Sequence, residues 1–246
     1  RTATLDDMPS LLALEAHWRS DDLSADEPTL RRRLTAFPTG QYVVESPTGQ
    51  VLAAMYTQRV ASYGSLLTCT RENELELHTP SGPVIQLLGV VQAPDSGRVM
   101  ADVRQATGET RSVGQILRDY VLHLGRLDAT AEKACGVTRC RDFDAAKGRT
   151  YEEHVRIGDD AGLKFHSDAG ASIGELVPNY RRGDAVNSGR GVMISYELKG
   201  AASAAIGTNA GGAKAKAAKA TAAATAGQGG TDGAKKVPQT RSGVEA

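Results

Sequence analysis

Residues 84–91 form an almost continuous apolar run near the middle of the chain, interrupted only by Gln86 and Gly89. A β-strand that is covered on both faces has this composition, because neither of its faces meets water. The run therefore predicts the central strand of a sheet with packed layers on both sides. The segments before and after it have to supply the neighbouring strands and the covering helices.

Two helices and a β-hairpin are predicted before the central strand. Apolar residues recur at helical spacing, one Ser/Glu pair has the spacing of a capping box, and two β-forming runs flank a turn. The segments are a helix from Met8 after a cap at 4–7, a helix opened by Ser24 and Glu27 and running through Leu34, and strands at 41–45 and 51–60. The turn at 47–50 is short enough to make the two strands antiparallel.

Alternating helices and strands are predicted after the central strand. They are an irregular loop at 95–110, a helix opened by the capping-box pair Ser112 and Gln115, a strand at 134–138, a helix opened by Thr150 and Glu153, and last strands at Phe165, 173–177 and 192–198. This order of helices and strands predicts an α+β protein with a mixed sheet.

The composition changes sharply near Lys199. Residues 200–246 consist mainly of Ala, Gly, Lys and Thr and contain almost no large apolar side chain. Such a segment does not bury enough surface to offset the entropy lost on ordering. The sequence therefore predicts a domain at residues 1–199, followed by a flexible, disordered Ala/Gly/Lys-rich linker or tail at 200–246.

Charge and cysteine content indicate which partners and which cellular location to expect. The 29 basic and 29 acidic residues balance, so net charge gives no argument for a nucleic-acid partner. No apolar run is as long as a membrane span. The three cysteines, Cys69, Cys135 and Cys140, are odd in number and lack CxxC spacing. That pattern favours a reducing, cytoplasmic location over a disulfide framework. The chain begins without a methionine, so we expect a piece of a longer protein.

Residues 163–187 place a histidine close in sequence to an arginine pair, His166 before Arg181 and Arg182. Imidazole titrates near neutral pH, and guanidinium is the cation best shaped to hold a carboxylate or phosphate. Composition alone favours the alternative of an exposed histidine and a solvated arginine pair, because most polar residues are exposed. His78 and His123 are predicted to be solvated. Together with His154 they show no metal-ligand spacing, so we expect no metal.

Several short phrases of the sequence match one known family. They are His17-Trp18, FPTGQYV at 37–43, YTQRV at 56–60, QLL at 86–88, SVG at 112–114 with LRD at 117–119, VTRCR at 137–141, FH at 165–166, VPNYR at 177–181 and GVMISYEL at 191–198. With these phrases residues 1–198 resemble the GNAT-like domains of polyketide synthase loading modules. The resemblance implies the GNAT acyltransferase fold, a mixed central sheet flanked by helices.

The resemblance also implies an enzymatic activity. Such domains decarboxylate malonyl or methylmalonyl thioesters of coenzyme A or phosphopantetheine, and transfer of the acyl group to an acyl carrier protein has also been ascribed to them. Thr138 and His166 match the catalytic positions, while Trp18 and Arg181 match supporting positions. The implied partners are an acyl carrier protein and neighbouring synthase domains.

The sequence departs from the wider superfamily at the loop that binds the pyrophosphate of coenzyme A. Backbone N–H groups at a helix start bind the phosphates in such loops. Ser112, Val113 and Gly114 are the candidates for this contact, but Gln115 and Ile116 lack the second small residue. Asp168 stands where many relatives have another histidine.

Two other functions remain open at this point. An ordinary coenzyme A-dependent N-acetyltransferase would require an amine acceptor and a working pyrophosphate loop. A non-catalytic docking domain of a megasynthase would tolerate the loss of Thr138 and His166, and both are present.

Overall fold

The computed structural model describes residues 1–17 and 24–199. Trp18 and the predicted tail at 200–246 lie outside the described residues. In the described part, the α-helices are α1 (Met8–Glu15), α2 (Glu27–Ala36), α3 (Ser96–Val99), α4 (Ala101–Thr107), α5 (Val113–Leu127), α6 (Tyr151–Ile157) and α7 (Ala161–Ser167). The strands are β1 (Gln41–Glu45), β2 (Val51–Val60), β3 (Val84–Gln92), β4 (Lys133–Thr138), β5 (Ser172–Val177) and β6 (Gly191–Glu197).

The six strands form one mixed sheet in the order β1-β2-β3-β4-β6-β5. The β3/β4 pair is parallel, and every other neighbouring pair is antiparallel. The predicted central strand β3 therefore lies inside the sheet, as its apolar composition requires. The mixed sheet with flanking helices is the predicted α+β architecture, and the hairpin of β1 and β2 is confirmed.

Helices cover both faces of the sheet. On one face, α1 and α2 bury apolar side chains such as Leu11 and Leu30 against Tyr56 and Leu88. On the other face, α5 packs Leu117 and its neighbours against the sheet. All ten residues of β2 are buried, because this strand lies between the two helical layers.

The capping-box predictions are confirmed at two helices and wrong at a third. Ser112 with Gln115 caps α5, and Thr150 with Glu153 caps α6. Helix α2 instead begins after Asp26, whose carboxylate accepts a hydrogen bond from Thr29 N–H at 3.0 Å. A carboxylate directly before the first turn satisfies the same orphan donors that Ser24 would have to reach from two residues further away.

Two other secondary-structure predictions are wrong. The loop predicted at 95–110 contains the short helices α3 and α4, and α4 buries none of its side chains. Phe165, predicted as part of a strand, lies in α7, which begins after the cap residue Asp160. Both errors have one cause, because helices this short carry too few turns to show a helical repeat of apolar residues.

His78 differs from its predicted solvated state. Its side chain is half-buried against the Phe37 ring, with centroids 5.6 Å apart, and both ring nitrogens are buried. His123 is exposed on α5, as predicted. In the described ranges, no helix has the length and apolar character needed to cross a membrane.

Candidate active site

The candidate site begins where two parallel strands separate. β3 and β4 are paired only from Val84 with Lys133 to Leu87 with Gly136. Beyond that point β3 continues to Gln92, while β4 continues to Thr138 on the β6 side. The divergence opens a wedge in the sheet, and a cavity of about 120 Å³ lies there.

The cavity collects three of the residues predicted from the sequence. Thr138 ends β4, His166 lies in the last turn of α7, and Arg181 follows β5. All three line the cavity, together with Leu88 to Val91 of β3. These three positions lie on different segments of the chain, and the diverging sheet brings them to one space.

Helix α7 closes one side of the wedge because it packs very tightly there. The Asp160 carboxylate accepts hydrogen bonds from the N–H groups of Gly162 and Leu163, at 2.7 and 3.3 Å, and so fixes the helix start. A Cβ at Gly162 would lie 2.5 Å from the carbonyl oxygen of Arg139, so glycine alone fits this approach. The helix then directs Phe165 and His166 to the cavity.

His166 is held as a neutral imidazole. Burial, followed by the positive charges of Arg118 and Arg141, lowers its pKa from 6.5 to about 3. Its Nδ1 lies 2.8 Å from the Tyr196 hydroxyl. Burial raises the pKa of Tyr196, so this hydroxyl keeps its proton. When the hydroxyl donates to Nδ1, the imidazole proton is on Nε2, where it is available as a donor.

Tyr196 is a site residue that the sequence reasoning missed. It lies on β6 and is 2% exposed. Its hydroxyl is 3.4 Å from the His166 carbonyl oxygen as well as 2.8 Å from Nδ1, and the shorter contact favours donation to the ring. No local sequence signal indicates this pair, because 30 residues separate its members.

Arg181 is anchored through its backbone. Its N–H donates to the carbonyl oxygen of Gly189 at 3.0 Å, and Arg71 N–H donates to the carbonyl oxygen of Tyr180 at 2.7 Å. Asn179 has a φ of 57° in the turn that precedes these bonds. The turn and the two hydrogen bonds give the backbone of Arg181 a fixed position at the cavity.

The predicted phosphate loop lies at a second, neighbouring cavity of about 280 Å³. Ser112 and Gly114 line it, whereas Val113 does not, because the Val113 side chain is buried in the core against the sheet. The N–H groups of the two residues that line this cavity already have partners. Ser112 N–H donates to Gln115 Oε1 at 2.8 Å, and Gly114 N–H donates to Gln92 Oε1 at 2.9 Å. A phosphate would have to displace these side-chain acceptors.

Asp168 lies away from the cavity. It ends α7, is exposed, and forms an ion pair with Lys164 at 3.1 Å. The position where many relatives have a second histidine therefore contributes a surface carboxylate here.

One group of buried side chains has metal-ligand types, although the sequence spacing did not indicate it. Ligand atoms of Cys140, His154 and Asp160 lie within 4.8 Å of one another. Asp160 is already used by backbone N–H groups and lies 3.0 Å from His154 Nε2. Burial raises the pKa of the Cys140 thiol to about 11, so the thiol is protonated. The hydrogen bonds of Asp160 at the start of α7 and its contact with His154 give these two side chains a structural role.

Solved structures of other proteins share this fold. The GphF GNAT-like decarboxylase in complex with isobutyryl-CoA is 34% identical, over 81% of this chain and 98% of that one, with a TM-score of 0.71. The loading GNATL domain of CurA from Lyngbya majuscula is 30% identical, over 80% and 96%, with a TM-score of 0.70. Naa20 of Chaetomium thermophilum, in complex with a bisubstrate analogue, is 14% identical over 81% and 86%, with a TM-score of 0.50, and shows the fold alone. No protein-family model and no curated protein match this chain.

Proposed function

Because the chain belongs to the GNAT-like domains of polyketide synthase loading modules, we propose that it decarboxylates a malonyl or methylmalonyl thioester to the acetyl or propionyl thioester. The observation that carries this proposal is the single cavity lined by Thr138, His166 and Arg181. Two features of the relatives support it, namely their description as a decarboxylase and a loading domain and the isobutyryl-CoA bound to one of them.

The reaction breaks the bond between the carboxylate carbon and the α-carbon. The bonding electrons move into the thioester to form an enolate, carbon dioxide leaves, and a proton adds to the α-carbon. The barrier falls when the breaking bond is held perpendicular to the thioester plane and the enolate charge is stabilised. We propose that Thr138 and Arg181 hold the carboxylate in this orientation. His166 donates a hydrogen bond from Nε2 to the same carboxylate.

The register of the sheet suggests a donor for the enolate oxygen. Tyr56 pairs with Gly89 and Thr57 pairs with Leu87, so Leu88 is a bulge residue outside the β2/β3 ladder. A bulge leaves backbone groups unpaired and often lies next to an active site. Leu88 lines the cavity, and its N–H is our candidate donor to the enolate oxygen.

A neutral imidazole is a weak acid, so we assign the final proton to a water molecule. In this scheme His166 orients the carboxylate and remains a neutral imidazole. Trp18, outside the described residues, is our candidate for an apolar wall that keeps other water away from the reacting carboxylate.

We further propose that an acyl carrier protein delivers or receives the thioester through its phosphopantetheine arm. Residues 1–199 form the catalytic domain in this proposal, and residues 200–246 form the linker toward neighbouring synthase domains. The occupied N–H groups at the start of α5 count against an N-acetyltransferase that relies on a standard pyrophosphate loop.

Substitution of the two catalytic candidates tests the proposal. We expect Thr138→Val and His166→Ala each to slow decarboxylation of malonyl-CoA by at least about a hundredfold, the cost of losing one positioned polar group. Thr35→Val and His123→Ala, which change exposed residues outside the cavity, are matched controls and should keep the wild-type rate. Full activity of both site variants would exclude the proposed mechanism, and an inactive wild type would favour the docking-domain alternative.

A further inference from the structure

Arg33 lines the same cavity as the catalytic candidates, although the reaction described so far does not use it. The residue is only 3% exposed. Its Nε and Nη2 atoms are buried and have no hydrogen-bond acceptor in the described part of the chain. Buried donors without acceptors are rare, because they lose their hydration without compensation. A permanently charged guanidinium in this state at a cavity wall indicates an anionic ligand.

The neighbouring carboxylates do not satisfy Arg33. Glu74 is fully buried, and its Oε1 is 3.9 Å from Arg33 Nη2, which is too far for a hydrogen bond. Glu74 is instead bound closely by Arg71, and it accepts a hydrogen bond from the Tyr180 hydroxyl. Glu15 also lines the cavity, but one of its oxygens accepts from Ala25 N–H at 2.9 Å. Among the described residues, Arg33 and Arg71 therefore share one ion-pair partner, Glu74, and the charge of Glu15 acts on both without forming an ion pair.

The pKa values of both guanidiniums are lowered, mainly by burial. Burial lowers the pKa of Arg33. Burial, followed by repulsion from Arg33, lowers the pKa of Arg71 to about 9. An added negative charge would relieve both effects, since it would supply the missing partner in a low-dielectric site.

The Arg33 guanidinium lies over the face of an aromatic ring. Its Cζ lies 4.8 Å from the centroid of the Tyr56 ring, which is also part of the cavity wall. Its Nε and Nη2 atoms form one edge of the planar guanidinium, and this edge can make a two-point contact with a carboxylate. The sequence contains a signal for this residue, because Arg33 lies between Leu30 and Leu34 on the buried face of α2.

We propose that Arg33, assisted by Arg71, binds the free carboxylate of the acyl thioester and so selects carboxylated over simple acyl groups. This inference rests on the proposed function, because it names a subsite for that substrate class. A phosphate of the pantetheine arm offers the same anionic chemistry. The cavity of about 120 Å³ is shared with Thr138 and His166, and it is the acyl end of the substrate, not the phosphate, that has to reach those residues.

The role of Arg33 is separate from that of Arg181. An ion pair with the carboxylate is strongest in the ground state and weakens as neutral carbon dioxide forms, so it contributes affinity and does not lower the barrier. Substitution of Arg33 is therefore expected to raise Kd and KM for carboxylated substrates without lowering kcat, whereas substitution of the orienting Arg181 lowers kcat.

Equilibrium binding of matched ligands tests this assignment. The ligand pair is acetyl-CoA and sulfoacetyl-CoA, in which a sulfonate replaces the carboxylate and is not lost by decarboxylation. We expect the wild type to bind sulfoacetyl-CoA at least about tenfold more tightly, as a charge-assisted two-point contact provides. Arg33→Met should remove most of this preference, with the remainder due to the contacts of Arg181, Thr138 and His166, and should leave the acetyl-CoA affinity unchanged. Arg31→Met, which changes an exposed arginine of the same helix paired with Glu27 at 2.7 Å, should retain it.

Other outcomes would overturn the assignment. An equal loss of affinity for both ligands in Arg33→Met would indicate a phosphate contact, and an unchanged preference would remove Arg33 from the site. If Arg33→Met does not fold, Arg33→Lys is the substitute and should also weaken the preference for sulfoacetyl-CoA. A wild type without this preference would refute the subsite as well. None of these readouts requires turnover, so a wild type that shows the preference without decarboxylation would refute the proposed function and leave the subsite intact.

Discussion

Lowering the pH should destabilise this domain through His166. The imidazole has a pKa of about 3 in the folded protein, against 6.5 for an exposed histidine. The folded state therefore disfavours the charged form. As the pH falls below 6.5, the unfolded chain binds a proton that the folded chain does not, so the free energy of unfolding decreases. The loss continues until the pH approaches 3.

The size of the effect follows from these two pKa values. At pH 7.5 both states are almost entirely neutral at this site. At pH 5.5 the unfolded histidine is about ten-elevenths protonated, while the folded histidine remains neutral. The linkage relation gives a loss of about 1.4 kcal/mol in the free energy of unfolding between these two pH values. For a domain of this size, that corresponds to a decrease of roughly 3–5 °C in Tm.

Denaturant unfolding of the wild type and His166→Gln at pH 7.5 and 5.5 measures this contribution. The difference between the two proteins in their acid-induced loss should be about 1.4 kcal/mol, since other titrating groups cancel in the comparison. His123→Gln, at an exposed position of α5, is the matched control and should show the wild-type loss. Equal losses in the wild type and His166→Gln would show that His166 is not a desolvated neutral imidazole, and its assignment as a neutral donor would fail.

Three further predictions concern the site and the tail. Arg181→Ala should lower kcat for malonyl-CoA as well as raise KM, because an orienting contact acts in the transition state; an unchanged kcat in steady-state assays would exclude that role. Tyr196→Phe should lower kcat about tenfold with little change in KM, because the imidazole loses the donor to Nδ1 that keeps its proton on Nε2. A wild-type kcat for Tyr196→Phe would show that the tautomer is set elsewhere. Removal of residues 200–246 should leave Tm within about 1 °C, because the segment lacks apolar side chains that could anchor it, whereas a large decrease in Tm would contradict the domain boundary.

Much of the sheet could be predicted from local patterns. The apolar run that became β3, the hairpin and the capping pairs of α5 and α6 each depend on residues a few positions apart, and all were confirmed. The errors fall where local patterns are weak. Helix α4 buries none of its side chains, and α7 is seven residues long with its cap at Asp160.

The candidate site was accessible mainly through the resemblance to a known family. Thr138, His166 and Arg181 lie on separate elements, and no periodicity predicts that the divergence of β3 and β4 brings them together. The contact of Tyr196 with His166 and the incomplete pairing of Arg33 depend on tertiary packing. Of these, only Arg33 left a local signal, a charged residue on an apolar helix face.

The central claim is that this domain removes carbon dioxide from a carboxylated acyl thioester. The most direct test is intact-protein mass spectrometry of a malonyl-loaded acyl carrier protein incubated with the domain. We expect the carrier to lose the mass of one carbon dioxide and to become acetyl-loaded, and to remain malonyl-loaded with Thr138→Val. The claim would be contradicted if the wild type leaves the carrier malonyl-loaded and, in a parallel assay, also leaves malonyl-CoA unchanged.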